Sequence, residues 1–286
     1  MTLQKLILFT GLLLAVVSSG PTCLAQETKK LTPDEVIASH LDSIASAEAR
    51  SAFKSLVAQG TVEVTIRVGG GGKGKGGAVM ASQGPMSLIG FIFGQDASNE
   101  KLAFNGQKLT LGVLRPGLRS PFSDFVLKND VLFREGLLGG TLSTAWPFFD
   151  ANERKGKLRS LGTKNLKDRK AYVLGYEPRN SGNLDIKLYF DAETFQHLRT
   201  DYQQEFVAPT VTNPDKAARQ KGTRFKITEE FSDFRREVSV TLPHTYKIQF
   251  TIETENHPLL QDWVVTLNQF VLNKTLDAKQ FDLTAP

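Results

Sequence analysis

"LDIKLYFDAETFQHLRTDY", residues Leu184 to Tyr202, is the stretch whose reading decides the fold. In its first half Leu184, Ile186, Leu188 and Phe190 alternate with Asp185, Lys187 and Tyr189. In its second half Leu198, Thr200 and Tyr202 alternate with His197, Arg199 and Asp201. A period of two marks strands with one buried and one wet face, and the short run between the halves reads as the turn of a hairpin. The buried face needs a cover: the chain's own core, or something the chain carries.

Outward from this hairpin the same period recurs. Thr61–Val68, Ala78–Ser82, Met86–Phe93, Lys108–Leu114 and Ala171–Tyr176 read as strands, as do Arg224–Phe231, Tyr246–Thr254 and Trp263–Leu272. Turn signals separate them at Asn105-Gly106, Arg115-Pro116-Gly117, Asn180-Ser181-Gly182 and Asn213-Pro214-Asp215. Many antiparallel strands with few helices predict a mainly β, α+β architecture: a large curved sheet forming an unclosed half-barrel in a single domain over residues 26–286. Ahead of the sheet, Thr32-Pro33-Asp34-Glu35 is a capping box with proline preset at the first helical position. Val36, Ile37, His40, Leu41 and Ile44 form an apolar stripe that Phe53, Leu56 and Val57 resume, so the helix is expected to run on to Gly60. His40 is expected at the edge of the core.

One segment breaks the strand rhythm. Ser120–Phe149 carries Phe122, Phe125, Phe133, Leu137, Leu138, Trp146, Phe148 and Phe149. Gly139, Gly140 and Pro147 forbid a long regular element there. So apolar a run cannot be a solvated loop, and it is expected to lie over the inner face of the sheet as a short helical lid. Together with Phe91 and Phe93 these residues are the candidate apolar ligand-binding set, with Gly139 and Gly140 as candidate hinges. Burying acyl chain yields on the order of 0.8 kcal/mol per methylene, so a greasy interior can hold such a guest without any hydrogen-bonding constellation.

The N-terminus reads as an export signal. Lys5 precedes an apolar run, Leu6–Val17, that is short for a membrane span, and Leu24-Ala25 follows Cys23 with a small residue at the cleavage site. Cleavage after Ala25 predicts a periplasmic chain. Gly20-Pro21-Thr22-Cys23 lacks the aliphatic residue that a lipoprotein signal places before its cysteine, so the one cysteine is expected to leave with the signal. Disulfides and thiolate chemistry leave with it. The formal charge of +5 falls to +4 without Lys5, too diffuse for a dedicated nucleic-acid binder.

Catalytic and cofactor motifs are weak throughout. "GGGGKGKGG", Gly69–Gly77, fits a phosphate loop at Gly69 and Gly74-Lys75, but Gly76 stands where a hydroxyl is required. A solvated hairpin loop is the better reading. His40, His197, His244 and His257 show no metal-ligand spacing, and no serine sits in G-x-S-x-G. Glu229 and Glu230 are adjacent, so in a strand they face opposite ways, and surface solvation is expected for the pair. No enzyme, cofactor or metal is predicted. The basic run Arg154 to Lys170 protects a wet strand edge or, with Lys155, Lys157 and Arg159, docks an anionic membrane surface or a periplasmic protein.

The order of a signal, a capped helix, a long antiparallel sheet and an apolar interruption resembles the LolA/LolB-like family of periplasmic lipoprotein carriers. So do the hairpin "LDIKLYFDAETFQHLRTDY" and the ending "TLNQFVLNKTLDAKQFDL". "TPDEVIASHLDSI" and "EGLLGGTLSTAWPFFD" look like segments of secreted bacterial proteins of the same architecture. The resemblance implies a half-barrel whose concave face takes the acyl chains of a lipid or a lipidated protein, in the service of outer-membrane biogenesis. The chain departs from that pattern in its extra strands and in the glycine run, and no residue aligns with the arginine that holds the carriers' lid. The alternative of the same fold with a filled core and a protein partner stays open.

Overall fold

The computed structural model describes residues 30–94, 99–112, 119–149, 156–179, 182–206, 222–254 and 257–284. Residues 1–25, read above as an export signal, and Arg154 and Lys155 lie outside the described residues. Twelve strands form one antiparallel sheet in the order β5-β4-β3-β2-β1-β12-β11-β10-β9-β8-β7-β6, and its two ends do not meet. The strands are β1 (Ser55–Val68), β2 (Gly72–Gln83), β3 (Met86–Ile92), β4 (Glu100–Phe104), β5 (Leu109–Leu111) and β6 (Lys157–Leu166). They continue with β7 (Arg169–Glu177), β8 (Leu184–Asp191), β9 (His197–Phe206), β10 (Thr223–Glu237), β11 (Val240–Glu253) and β12 (Leu259–Leu272). Apart from the β1–β12 pairing, each neighbour in the sheet is also a neighbour in sequence, so the sheet is two meanders joined by one long-range seam. The half-barrel predicted from the period-two pattern is the architecture found.

The capping box closes as predicted: Glu35 N–H donates to Thr32 Oγ1, and Thr32 N–H donates to Glu35 at 2.8 Å. The helix it starts, α1 (Pro33–Ile44), is shorter than the stripe suggested. Ser46 caps a second helix, α2 (Ala47–Ala52), and β1 begins at Ser55. Leu56 and Val57, expected on the helix, and Gly60, expected to end it, are therefore strand residues. A strand bonded on both sides, to β2 and β12, satisfies its backbone without the helix, and the pattern of Leu56 and Val57 fits either element. Gly60 sits at a bulge in the seam, where a Cβ would come within 1.9 Å of the Thr266 carbonyl oxygen. Gly72–Gly77 likewise belong to β2, and only Gly69–Gly71 form the turn.

Phe91, Phe250, Trp263, Val265, Tyr246, Ile227, Tyr202, Phe190 and Leu188 line the concave face and are all fully buried. Over them lie α1 and the lid segment, made of α3 (Pro121–Lys128), α4 (Val131–Arg134) and a 3₁₀ turn at Gly140–Leu142. No described helix is long and apolar enough to cross a membrane.

Candidate functional site

The lid segment enters the half-barrel with its rings. Phe122 packs on Trp263 and Phe250, with centroids 4.9 and 5.7 Å apart, and Phe125 stacks on Phe225 at 5.6 Å. Trp146 stacks on His197 at 4.7 Å and meets Phe148 edge-on at 4.9 Å. Phe91, Phe93, Phe133, Leu137, Leu138 and Phe148 are buried in the same cluster. The candidate apolar residues are thus brought together, and in this closed form they cover the concave face themselves. Offset and edge-on rings add to area burial, so the lid is held as a core is held.

Gly139 and Gly140 lie at the 3₁₀ turn of the lid. Both adopt positive φ, 87° and 53°. A Cβ on Gly139 would approach Met80 Cε to 2.9 Å, and one on Gly140 would approach His197 Nδ1 to 2.9 Å. Left-handed backbone and close approach to the sheet require glycine at both positions. Both are buried against the sheet.

The polar fastenings between lid and wall were not legible in the sequence. Glu229, expected in solvent, is wholly buried on β10 and faces inward. Its carboxylate accepts the Gly139 N–H at 2.8 Å, the Tyr202 hydroxyl at 2.6 Å and the Tyr246 hydroxyl. Burial pushes its pKa up to about 7 against the pull of those three donors. Its neighbour Glu230 faces outward, towards Arg199 and Lys167. The alternation was read correctly; the buried partner was missed because two tyrosines from flanking strands, not an adjacent residue, satisfy it.

Two further carboxylates repeat the device. Glu100 on β4 accepts the hydroxyls of Ser120 and Ser123, at 2.9 and 2.7 Å, where α3 begins. Burial raises it to about 7 as well. Glu135, carried by the lid, accepts the Tyr176 hydroxyl of β7 at 2.7 Å and the Arg179 N–H at 3.1 Å. On the helix side, Trp146 Nε1–H donates to His40 Nε2 at 3.2 Å, so the His40 proton sits on Nδ1 and is donated to the Phe195 carbonyl at 2.9 Å. His40, expected at the core's edge, is fully inside, and desolvation lowers its pKa to about 4. His197 is held well below its ordinary value by burial and by His40 nearby.

Beside α3 the surface opens into a groove of about 450 Å³ lined by Pro121, Phe125, Phe206, Thr223 and Phe225, with Arg119, Asp124, Lys128 and Gln204 at its rim. Phe206 is half exposed there and meets Phe225 edge-on at 5.7 Å. Phe225 in turn stacks towards Phe250 in the interior. On the outer wall, Lys157 and Arg159 begin the terminal strand β6 and are exposed, and Arg159 pairs with Glu177 at 3.3 Å. Among the described residues no group of three histidine, cysteine, aspartate or glutamate side chains is placed to hold a metal.

No family model and no curated protein sequence matches this chain. Solved structures do. A LolA superfamily protein from Nitrosomonas europaea aligns over 88% of this chain and 98% of its own, at 12% identity and a TM-score of 0.47. A DUF1329 family protein from Desulfovibrio piger aligns over 88% and 97%, at 8% identity and TM-score 0.43. A domain from Vibrio parahaemolyticus described as an outer membrane lipoprotein-sorting protein aligns over 87% and 96%, at 9% identity and TM-score 0.39. The chain is similar to each of these over most of its length. At these identities and TM-scores the likeness says nothing about activity or ligand.

Proposed function

We propose that this chain is a non-catalytic periplasmic carrier, exported by a signal at residues 1–25. It takes the acyl chain of a lipid or lipidated polypeptide between the sheet and the lid. The observation that carries this reading is the groove at Phe125, Phe206 and Phe225. It is of the size ligand sites have, and its rings continue inward to Phe250 and then to the lid. An acyl chain entering there exchanges places with the lid's side chains. Each methylene that covers the inner wall returns on the order of 0.8 kcal/mol of what the departing rings give up.

A second reading draws on the packing itself. The lid's rings already cover the concave face, which suits a protein of the same fold with a permanently filled core and a protein partner. One experiment separates the two: mass spectrometry of an organic extract from natively purified protein, followed by titration of the delipidated protein with acyl probes. A co-purifying lipid and a Trp146 fluorescence change, lost in Trp146→Phe, support the carrier. An empty extract with unmoved fluorescence, beside a captured protein partner, overturns it in favour of the filled core.

A further inference from the structure

We infer that the ligand replacing the lid carries an amide N–H beside its acyl chain, received by the Glu229 carboxylate on the floor of the half-barrel. This inference rests on the carrier reading and narrows its ligand. Glu229 stands on a central strand, and two of its three donors, Tyr202 on β9 and Tyr246 on β11, belong to the sheet and stay with it. The third, the Gly139 N–H, belongs to the lid and departs when the lid does. Among the described residues no cationic side chain pairs with Glu229, so nothing in the wall makes up the loss.

A guest that occupies the lid's place therefore meets a carboxylate short of one donor in an apolar setting. Plain hydrocarbon leaves Oε1 with the Tyr246 hydroxyl alone, one donor fewer than the closed form gives it. A carboxylate or phosphate headgroup at the same point adds like-charge repulsion. The group already seated there is a peptide N–H at 2.8 Å, and a guest amide reproduces it in kind. Met80, beside Gly139, and Phe231, stacked on Tyr246 at 5.1 Å, offer the apolar wall that the adjoining chain would cover.

The test uses two probes that differ only in N–H against O: N-methyldodecanamide and methyl dodecanoate. Each is titrated into the delipidated full-length protein at pH 8, where Glu229, pushed up to about 7, is ionised. Binding is read from tryptophan fluorescence and checked by calorimetry. The native protein is expected to bind the amide about tenfold more tightly than the ester, the preference a charge-assisted hydrogen bond supplies. Glu229→Leu should bring the two within about twofold. Glu229→Gln, a neutral acceptor of the same shape, should narrow the gap to about threefold and serves if the leucine variant does not fold. Equal affinities in the native protein, or a preference that survives both substitutions, overturns the inference while leaving the carrier reading intact. Failure of both probes to bind overturns the carrier reading and the inference with it.

Discussion

Glu229 shows how a single buried acid makes a fold depend on pH. Its folded pKa of about 7 lies above its ordinary 4.5, so the fold prefers the protonated form. That preference is fully present below pH 4.5 and is lost as pH rises through 7. Glu100 behaves alike. His40 runs the other way: lowered from 6.5 to about 4, it stabilises the fold above pH 6.5 and costs stability as pH falls towards 4. Between these limits the two tendencies offset, so the whole-protein profile hides them and a variant is needed. Glu229→Gln removes one acid slope and leaves every other group in place. Its stability relative to the native protein should improve by about 3 kcal/mol from pH 4.5 to pH 8, since each pKa unit is worth about 1.4 kcal/mol. Urea unfolding at both pH values measures it, and an equal difference at both would show that the carboxylate is not desolvated as described. Nothing in "TEEF" distinguishes Glu229 from Glu230 as the buried one until the face of β10 is known. The sequence pattern puts them on opposite faces, and only the register with Tyr202 and Tyr246 says which face holds a partner.

At the scale of elements, the lid and the first helix respond differently to substitution. Phe122 is fully buried between Trp263 and Phe250, so Phe122→Ala leaves a void in a packed layer and should cost about 3–5 kcal/mol. Thermal or denaturant unfolding checks this, and a loss under about 1 kcal/mol would mean that the lid is only loosely seated on the sheet. Thr32→Ala removes the hydroxyl of the capping box at an exposed helix start and should cost only about 1 kcal/mol. The contrast follows from where the energy resides: apolar area for the lid, two hydrogen bonds for the cap. Elements carried by a regular period or a local motif were legible before any coordinates. The capping hydroxyl, the β8–β9 hairpin and the apolar break at Ser120 each state their own geometry. Illegible were the points where distant segments decide. The end of α1 was missed because Leu56 and Val57 suit a helix stripe as well as a strand, and only pairing with β2 and β12 chooses. β4 was missed because "EKLAF" is five residues long and begins with an acid whose partners, Ser120 and Ser123, lie beyond the next turn.

The whole molecule is a sheet with two ends, and the chain treats them differently. At the β5 end the C-terminal run folds back on the sheet. Leu276 N–H donates to Gln83 Oε1 on β2 and Leu283 N–H to Thr110 Oγ1 on β5, at 2.8 and 3.0 Å, so the run lies across the strands at that end. At the β6 end the described residues supply no further strand, and Lys157, Arg159 and Lys164 stand exposed along the edge. An open edge is a template for another chain, and a row of cations is one way to keep copies apart. A bulge between Ser160 and Thr163, with Gly162 at φ 84°, twists the same edge out of register. Two roles for the cations are separable by the sign of the substitution. Lys157→Thr with Lys164→Thr removes repulsion while keeping strand propensity, and should produce self-association that grows with concentration in sedimentation velocity. A strictly monomeric variant would assign the protection to the bulge alone. Lys157→Glu with Arg159→Glu keeps copies apart by charge of the other sign but reverses attraction to anionic surfaces. If the edge docks the protein to a membrane, this second variant should lose retention on vesicles containing phosphatidylglycerol, and the native protein's own retention should fall as salt is raised. Retention unchanged by the reversal would leave the lysines a single task, that of keeping an unfinished sheet from being finished by its neighbour.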